Sequence, residues 1–141
     1  MRAFLLDANV LVALAWPEHA AHGRVGAWFA RHSRAGWATC PFTEAALVRI
    51  LSNPTFSPNA LSPANALIVL QRNVELPTHR FWSDAIPLGE AMDLLSRRLT
   101  GHQQVTDAYL IALAIHNGGK LATLDAKLAQ LGPADAIEVI S

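Results

Sequence analysis

The chain alternates between short apolar runs and longer segments with a helical pattern. Five short runs are apolar enough for strands buried on both faces, and they cover residues 3–6, 36–40, 80–83, 121–123 and 137–140. The segments between them carry helical periodicity or capping signals, at residues 10–15, 19–34, 44–52, 63–73, 88–99, 107–116 and 125–131. Strands that alternate with helices predict an α/β fold, with a mainly parallel sheet covered on both faces.

Composition predicts one compact domain over residues 1–141, because no linker divides the chain. The hydrophobic content is 52%, which suggests that a partner covers apolar surface around Trp28, Phe29, Leu47 and Ile50. The net charge is zero and Arg outnumbers Lys. Cys40 is the only cysteine, and no apolar run approaches the roughly 18 residues of a membrane span. We therefore expect a cytoplasmic protein that does not cross a membrane.

Four acids stand where predicted strands give way to helices: Asp7, Glu44, Asp107 and Asp125. The carboxyl ends of parallel strands open into one crevice, where ligands bind. Four carboxylates that converge there cannot all stay ionised unless a cation neutralises them. Mg²⁺ prefers oxygen ligands, so the pattern indicates metal-dependent phosphodiester chemistry.

Each acid also has a structural explanation. Asp7 and Asp125 could accept hydrogen bonds from the backbone N–H groups that follow them. Glu44 and Asp107 fall in the first turn of predicted helices, after Thr43 and Thr106 as expected caps, where negative charge complements the helix dipole. Their shared position at one edge of the sheet favours the functional interpretation.

The segments LLDANVLVAL, TEAALVRIL, VTDAYLIALA and LATLDAKL resemble, in order and spacing, the four acidic motifs of PIN-domain ribonucleases. The similarity is greatest to the VapC toxins of bacterial toxin–antitoxin pairs, and it extends to HRFWSDAIPL. Two positions depart from the family pattern. Ala8 replaces the common Thr or Ser, and the fourth motif continues from Asp125 into Ala-Lys-Leu rather than into an aromatic residue.

The resemblance implies a three-layer α/β/α PIN-like domain in which these four acids are the catalytic residues. Asp7 and Asp107 would be the principal metal ligands, with Glu44 and Asp125 as further candidates. Asn9 would orient Asp7, and Thr106, which precedes Asp107, would support the metal ligands without contacting the metal.

The implied function is that of a Mg²⁺-dependent endoribonuclease toxin, with Mn²⁺ able to substitute. A metal-activated water would cut structured RNA, such as a tRNA or a loop of ribosomal RNA, and Arg80, Arg97 and Arg98 are candidate phosphate contacts. The implied partner is a VapB-like antitoxin, bound to a toxin homodimer in a heterotetramer or larger assembly.

Two alternatives remain open from the residues. One is a catalytically silent PIN-like module that binds protein or RNA. The other is a phosphoaspartate hydrolase of the haloacid dehalogenase kind, which needs a second carboxylate where this chain has Asn9.

Overall fold

The fold is built around five parallel strands in one sheet. The computed structural model describes residues 2–95 and 98–141, so Arg97, a predicted phosphate contact, lies outside the described residues. The strand order is β3-β2-β1-β4-β5. The strands are β1 (Phe4–Leu6), β2 (Trp37–Thr39), β3 (His79–Phe81), β4 (Lys120–Thr123) and β5 (Ile137–Val139). The predicted parallel sheet is therefore confirmed.

The helices connect these strands across the two faces of the sheet. They are α1 (Ala8–Ala15), α2 (His22–His32), α3 (Pro41–Leu51), α4 (Pro63–Val74), α5 (Leu88–Leu94) and α6 (Val105–His116). Short 3₁₀ turns lie at Ser33–Ala35, His102–Gln104, Ala126–Gln130 and Ala134–Ala136.

Alternate side chains of β1 point to opposite faces, as the pleat of a strand requires. Leu5 packs in a buried cluster with residues of α5 and α6. Phe4 and Leu6 pack in a second cluster with residues of α1 to α4. The sheet is thus covered on both faces, and the predicted three-layer α/β/α architecture is confirmed.

Two helix starts differ from the predictions, because Thr43 and Thr106 do not act as N-caps. α3 already begins at Pro41, where proline has a suitable φ and no N–H to leave unpaired. The Thr43 hydroxyl instead accepts a hydrogen bond from the Cys40 N–H at 3.0 Å. α6 begins at Val105, because the 3₁₀ turn before it leaves Gln104 with a helical backbone.

Two predicted helices are shorter than expected. α5 ends at Leu94 rather than residue 99, although Ser96 and Arg97 lie outside the described residues. The segment predicted as a helix at 125–131 is a 3₁₀ turn over Ala126–Gln130.

The apolar surface predicted around Trp28, Phe29, Leu47 and Ile50 is wrong for two of its residues, whereas Phe29 and Ile50 are half-buried. Trp28 and Leu47 are buried in the core, because both pack against the sheet rather than facing solvent. Large exposed apolar side chains lie elsewhere, including Leu67 and Ile68 on α4. Across the described ranges, no helix combines the length and the apolar character needed to span a membrane.

Candidate active site at the carboxyl edge of the sheet

Asp7 occupies the end of β1, the central strand of the sheet. Its backbone N–H donates to the Ala122 carbonyl of β4 at 2.9 Å, which fixes the turn out of the strand. Its side chain caps α1, with Oδ1 accepting from the Ala8 N–H at 2.8 Å. The side chain is 7% exposed, so this carboxylate is largely removed from water.

Thr123, at the end of β4, connects Asp7 to the fourth motif. Its hydroxyl donates to Asp7 Oδ2 at 2.8 Å and accepts from the Asp125 N–H at 3.1 Å. The Asn9 side-chain amide donates to the Thr123 hydroxyl oxygen at 3.3 Å. The Leu124 N–H donates to Asn9 Oδ1 at 3.1 Å. Asn9 therefore reaches Asp7 through Thr123. Thr123 was not among the site residues predicted from the sequence, although a buried hydroxyl at the end of an apolar strand is a usable signal.

Asp107 and Asp125 lie beside Asp7 and share its electrostatic environment. Both line a cleft of about 320 Å³ with Gln103, Gln104 and Lys127. Burial raises the pKa of Asp7, and the charge of Asp125 raises it further. Hydrogen bonds from Thr123 and Ala8 lower this pKa but do not offset the effect of burial. Burial also raises the pKa of Asp107, followed by the charges of Asp7 and Asp125. The structure thus brings three of the four predicted acids into one mutually repelling group.

Glu44 is held by a different set of partners. The Thr39 hydroxyl donates to Glu44 Oε2 at 2.6 Å, and the same oxygen of Thr39 lies 2.7 Å from His79 Nε2. Because Thr39 has one hydroxyl proton and directs it to Glu44, His79 Nε2 carries the proton of the second hydrogen bond. Burial lowers the pKa of His79, and the charge of Glu44 partly raises it. His79 and Thr39, which the sequence analysis did not select, fix the orientation of Glu44.

Thr106 does not take the supporting role predicted for it. Its side chain is exposed and lines a separate cavity beside the acid cleft. It makes no hydrogen bond to the four acids among the residues that the structure describes.

The donor set of the cleft suits a hard divalent cation. Three repelling carboxylates, two with raised pKa values, gain stability when a positive charge lies between them. Within residues 2–95 and 98–141, no three His, Cys, Asp or Glu side chains are grouped as ligands of one metal ion. Mg²⁺ commonly uses one or two carboxylates and keeps several waters, so Asp7 and Asp107 would suffice as protein ligands.

The same architecture and motif order are found in known proteins. The family model of the PIN domain matches residues 4–133. The chain belongs to the PIN-domain family.

Relatives of this PIN domain match it over nearly their whole length. Ribonuclease VapC39 of Mycobacterium tuberculosis is 45% identical over 138 residues, covering 96% of this chain and 98% of the relative. Ribonuclease VapC38 of the same organism is 42% identical over 140 residues, covering 97% of both chains.

Solved structures agree with the PIN fold at low sequence identity. The crystal structure of VapBC2 from Rickettsia felis, bound to a promoter DNA fragment, matches with a TM-score of 0.66 and 13% identity, covering 99% of both chains. FitAcB from Neisseria gonorrhoeae matches with a TM-score of 0.63 and 21% identity, covering 98% of this chain and 96% of that one. At these identities, the likeness shows the fold.

The raised pKa of Asp7 predicts a pH-dependent stability effect. The folded protein holds this proton more tightly than the unfolded chain, so Asp7 destabilises the fold progressively as pH rises above the ordinary value of 3.8. Asp7→Asn removes that charge, and the new amide can donate to the Thr123 hydroxyl oxygen in place of the Asn9 amide, which lies 3.3 Å away. Denaturant unfolding in EDTA should show a more stable variant at pH 7 and a smaller difference near pH 4.

The matched control is Glu75→Gln, which neutralises an exposed acid at the end of α4. It should leave the unfolding free energy nearly unchanged across this range. An Asp7→Asn variant that is less stable than wild type at pH 7 would show that the carboxylate is not under electrostatic strain.

The Glu44 network predicts the titration of a histidine. The negative charge of Glu44 favours protonated His79, so Glu44→Gln should lower the pKa of His79. The ring Cε1 proton of His79, followed by NMR over pH 4–8, reports this directly. Glu75→Gln should not move the titration, and an unchanged midpoint in Glu44→Gln would place Glu44 away from His79.

Proposed function

We propose that this chain is a Mg²⁺-dependent endoribonuclease toxin of the VapC type. The main support for this proposal is the group of three carboxylates at the carboxyl edge of the parallel sheet, where Asp7 and Asp107 have raised pKa values. The names of the full-length relatives, ribonucleases VapC39 and VapC38, support RNA as the substrate.

The residues around the cleft divide the work of hydrolysis. Mg²⁺ held by Asp7 and Asp107 would polarise a phosphate oxygen and make a water more acidic. Thr123 and Ala8 hold Asp7 in one orientation, which keeps its carboxylate ready without a change of rotamer. Asp125 Oδ1 accepts from the Lys127 N–H at 3.0 Å, which leaves Oδ2 to take a proton from the attacking water. Glu44 is the alternative base, with Oε2 already engaged by Thr39.

The substrate is proposed to be an exposed loop of structured RNA, such as a tRNA or a ribosomal RNA loop. Unpaired nucleotides can splay their backbone and present a single phosphate to the acids. With a net charge of zero, the protein has little non-specific attraction for RNA. Arg80 and Arg98 are exposed and are candidates for the few phosphate contacts.

The proposed partner is a VapB-like antitoxin that binds a homodimer of this chain in the cytoplasm. The structural neighbours are named as VapBC2 and FitAcB. Exposed Leu67 and Ile68 on α4 give apolar surface for a partner to cover.

One observation favours the second candidate, a PIN-like module that binds without cleaving. Among the residues that the structure describes, no three acids lie close enough together to bind one metal ion. The two functions differ in whether the acids are needed for RNA cleavage, so one experiment separates them.

Asp107→Asn should reduce cleavage of total cellular RNA by at least about 100-fold, because it removes a charge needed at the reacting phosphate. Purified protein is incubated with RNA in Mg²⁺, and new 5′ ends are mapped. EDTA should stop cleavage, and added Mg²⁺ or Mn²⁺ should restore it.

Glu75→Gln is the control and should cleave like wild type. Wild-type protein that binds RNA but produces no new 5′ ends in either metal would favour the silent module. Cleavage that survives exhaustive chelation would exclude the metal-dependent reaction.

A further inference from the structure

A second cavity of about 330 Å³ shares helix α6 with the acid cleft. It lies between the start of α3, the start of α6 and the segment after β3. Its lining residues are Phe42, Asp84, Ile86, Leu88, Val105, Thr106 and Tyr109. This volume is at the lower end of small-molecule pockets, which span roughly 300–1,000 Å³, so the cavity fits one planar group better than an extended segment.

The cavity and the acid cleft are lined by consecutive residues of α6. Thr106 lines the cavity, and the next residue, Asp107, lines the acid cleft. On the other side, Phe42 precedes Glu44 by two residues at the start of α3. A nucleotide next to a phosphate held by the acids would therefore have this cavity within reach.

The walls of the cavity suit the flat face of a nucleobase. Phe42 is 46% exposed, and its ring packs edge-on against Tyr109 at 5.4 Å between centroids. The Tyr109 hydroxyl donates to the Ile86 carbonyl at 2.9 Å, which fixes the ring that supports Phe42. Leu88 is 50% exposed at the same cavity. An exposed aromatic ring flanked by apolar side chains is a stacking platform for an unpaired base.

Asp84 gives the cavity a hydrogen-bonding preference. It is exposed and makes no hydrogen bond or ion pair with another residue in the part of the chain that the structure describes. An ionised carboxylate only accepts hydrogen bonds, and it offers two oxygens side by side. Among the RNA bases, guanine presents two adjacent donors on its Watson–Crick edge, N1–H and the N2 amino group. Adenine and cytosine offer one amino group there, and uracil offers one N–H.

We infer that this cavity is the recognition pocket for an unpaired guanine next to the cleaved phosphate, with Phe42 stacking on the base and Asp84 accepting from its Watson–Crick edge. This inference rests on the proposed ribonuclease function. It assigns to the HRFWSDAIPL segment a role in selecting the RNA sequence that is cut.

Binding of short RNAs tests the pocket without requiring cleavage. Fluorescently labelled pentamers UUGUU, UUIUU, UUAUU and UUUUU, where I is inosine, are titrated in EDTA with the full-length Asp7→Asn variant. UUGUU should bind at least about fivefold more tightly than UUAUU, as expected for a two-bond base contact. UUIUU should bind with intermediate affinity, because inosine keeps N1–H and lacks the amino group.

Two substitutions in the same background separate stacking from base selection. Asp84→Asn offers one acceptor and one amino donor, which match adenine, so the guanine preference should fall and UUAUU should gain affinity. Phe42→Ala should weaken all four pentamers by about fivefold or more. Leu76→Ala, an exposed apolar change just after α4, is the control and should change nothing.

The outcomes distinguish the pocket from the proposed function. If wild-type protein cuts total RNA but binds the four pentamers equally, the guanine pocket is wrong and the nuclease proposal stands. The same conclusion follows if Asp84→Asn keeps the guanine preference. If no pentamer binds and no RNA is cut, the nuclease proposal fails together with the pocket. Unchanged RNA binding in Phe42→Ala, combined with loss of dimers in sedimentation velocity, would assign the cavity to a second copy of the chain.

Discussion

The hydrogen bond from the Thr123 hydroxyl to Asp7 organises this site. It joins the ends of β1 and β4, with 2.8 Å between the hydroxyl oxygen and Asp7 Oδ2. This bond stabilises a carboxylate whose charged form burial alone would disfavour. The same hydroxyl accepts from the Asp125 N–H, so one side chain sets the positions of two acids. Asp107 adds a third negative charge from α6. Within residues 2–95 and 98–141, no Lys, Arg or His side chain donates a hydrogen bond to these three acids. A divalent cation would therefore stabilise the group.

The parallel sheet makes this arrangement possible. Because β1 is central, it pairs with β2 on one side and β4 on the other, and the turns that follow these strands emerge at the same edge. Asp7 directly follows β1, and Asp125 follows β4 after one residue. Glu44 follows β2 and is held by Thr39 and His79. The acids thus occupy two neighbouring parts of the edge, with separate hydrogen-bond networks.

Sequence patterns predicted the strands, the parallel sheet and the positions of the acids, because apolar runs and turn residues are local signals. They did not predict the partners of those acids. Thr123 meets Asp7 across 116 residues, and His79 meets Thr39 across 40, so strand register decides both contacts. Thr106 was misassigned as a cap because a 3₁₀ turn before α6 moves the helix start to Val105. Likewise, the pattern around Trp28 and Leu47 could not distinguish a core face from an exposed groove.

In the proposed mechanism, burial and acidic neighbours destabilise the Asp7 carboxylate until a divalent cation binds. The most direct measurement is the titration of the Asp7 carboxyl carbon by ¹³C NMR, with and without Mg²⁺. We expect a pKa of Asp7 above the ordinary value of 3.8 without metal and a clear fall in that pKa when Mg²⁺ is added. An ordinary pKa that Mg²⁺ does not change would contradict it.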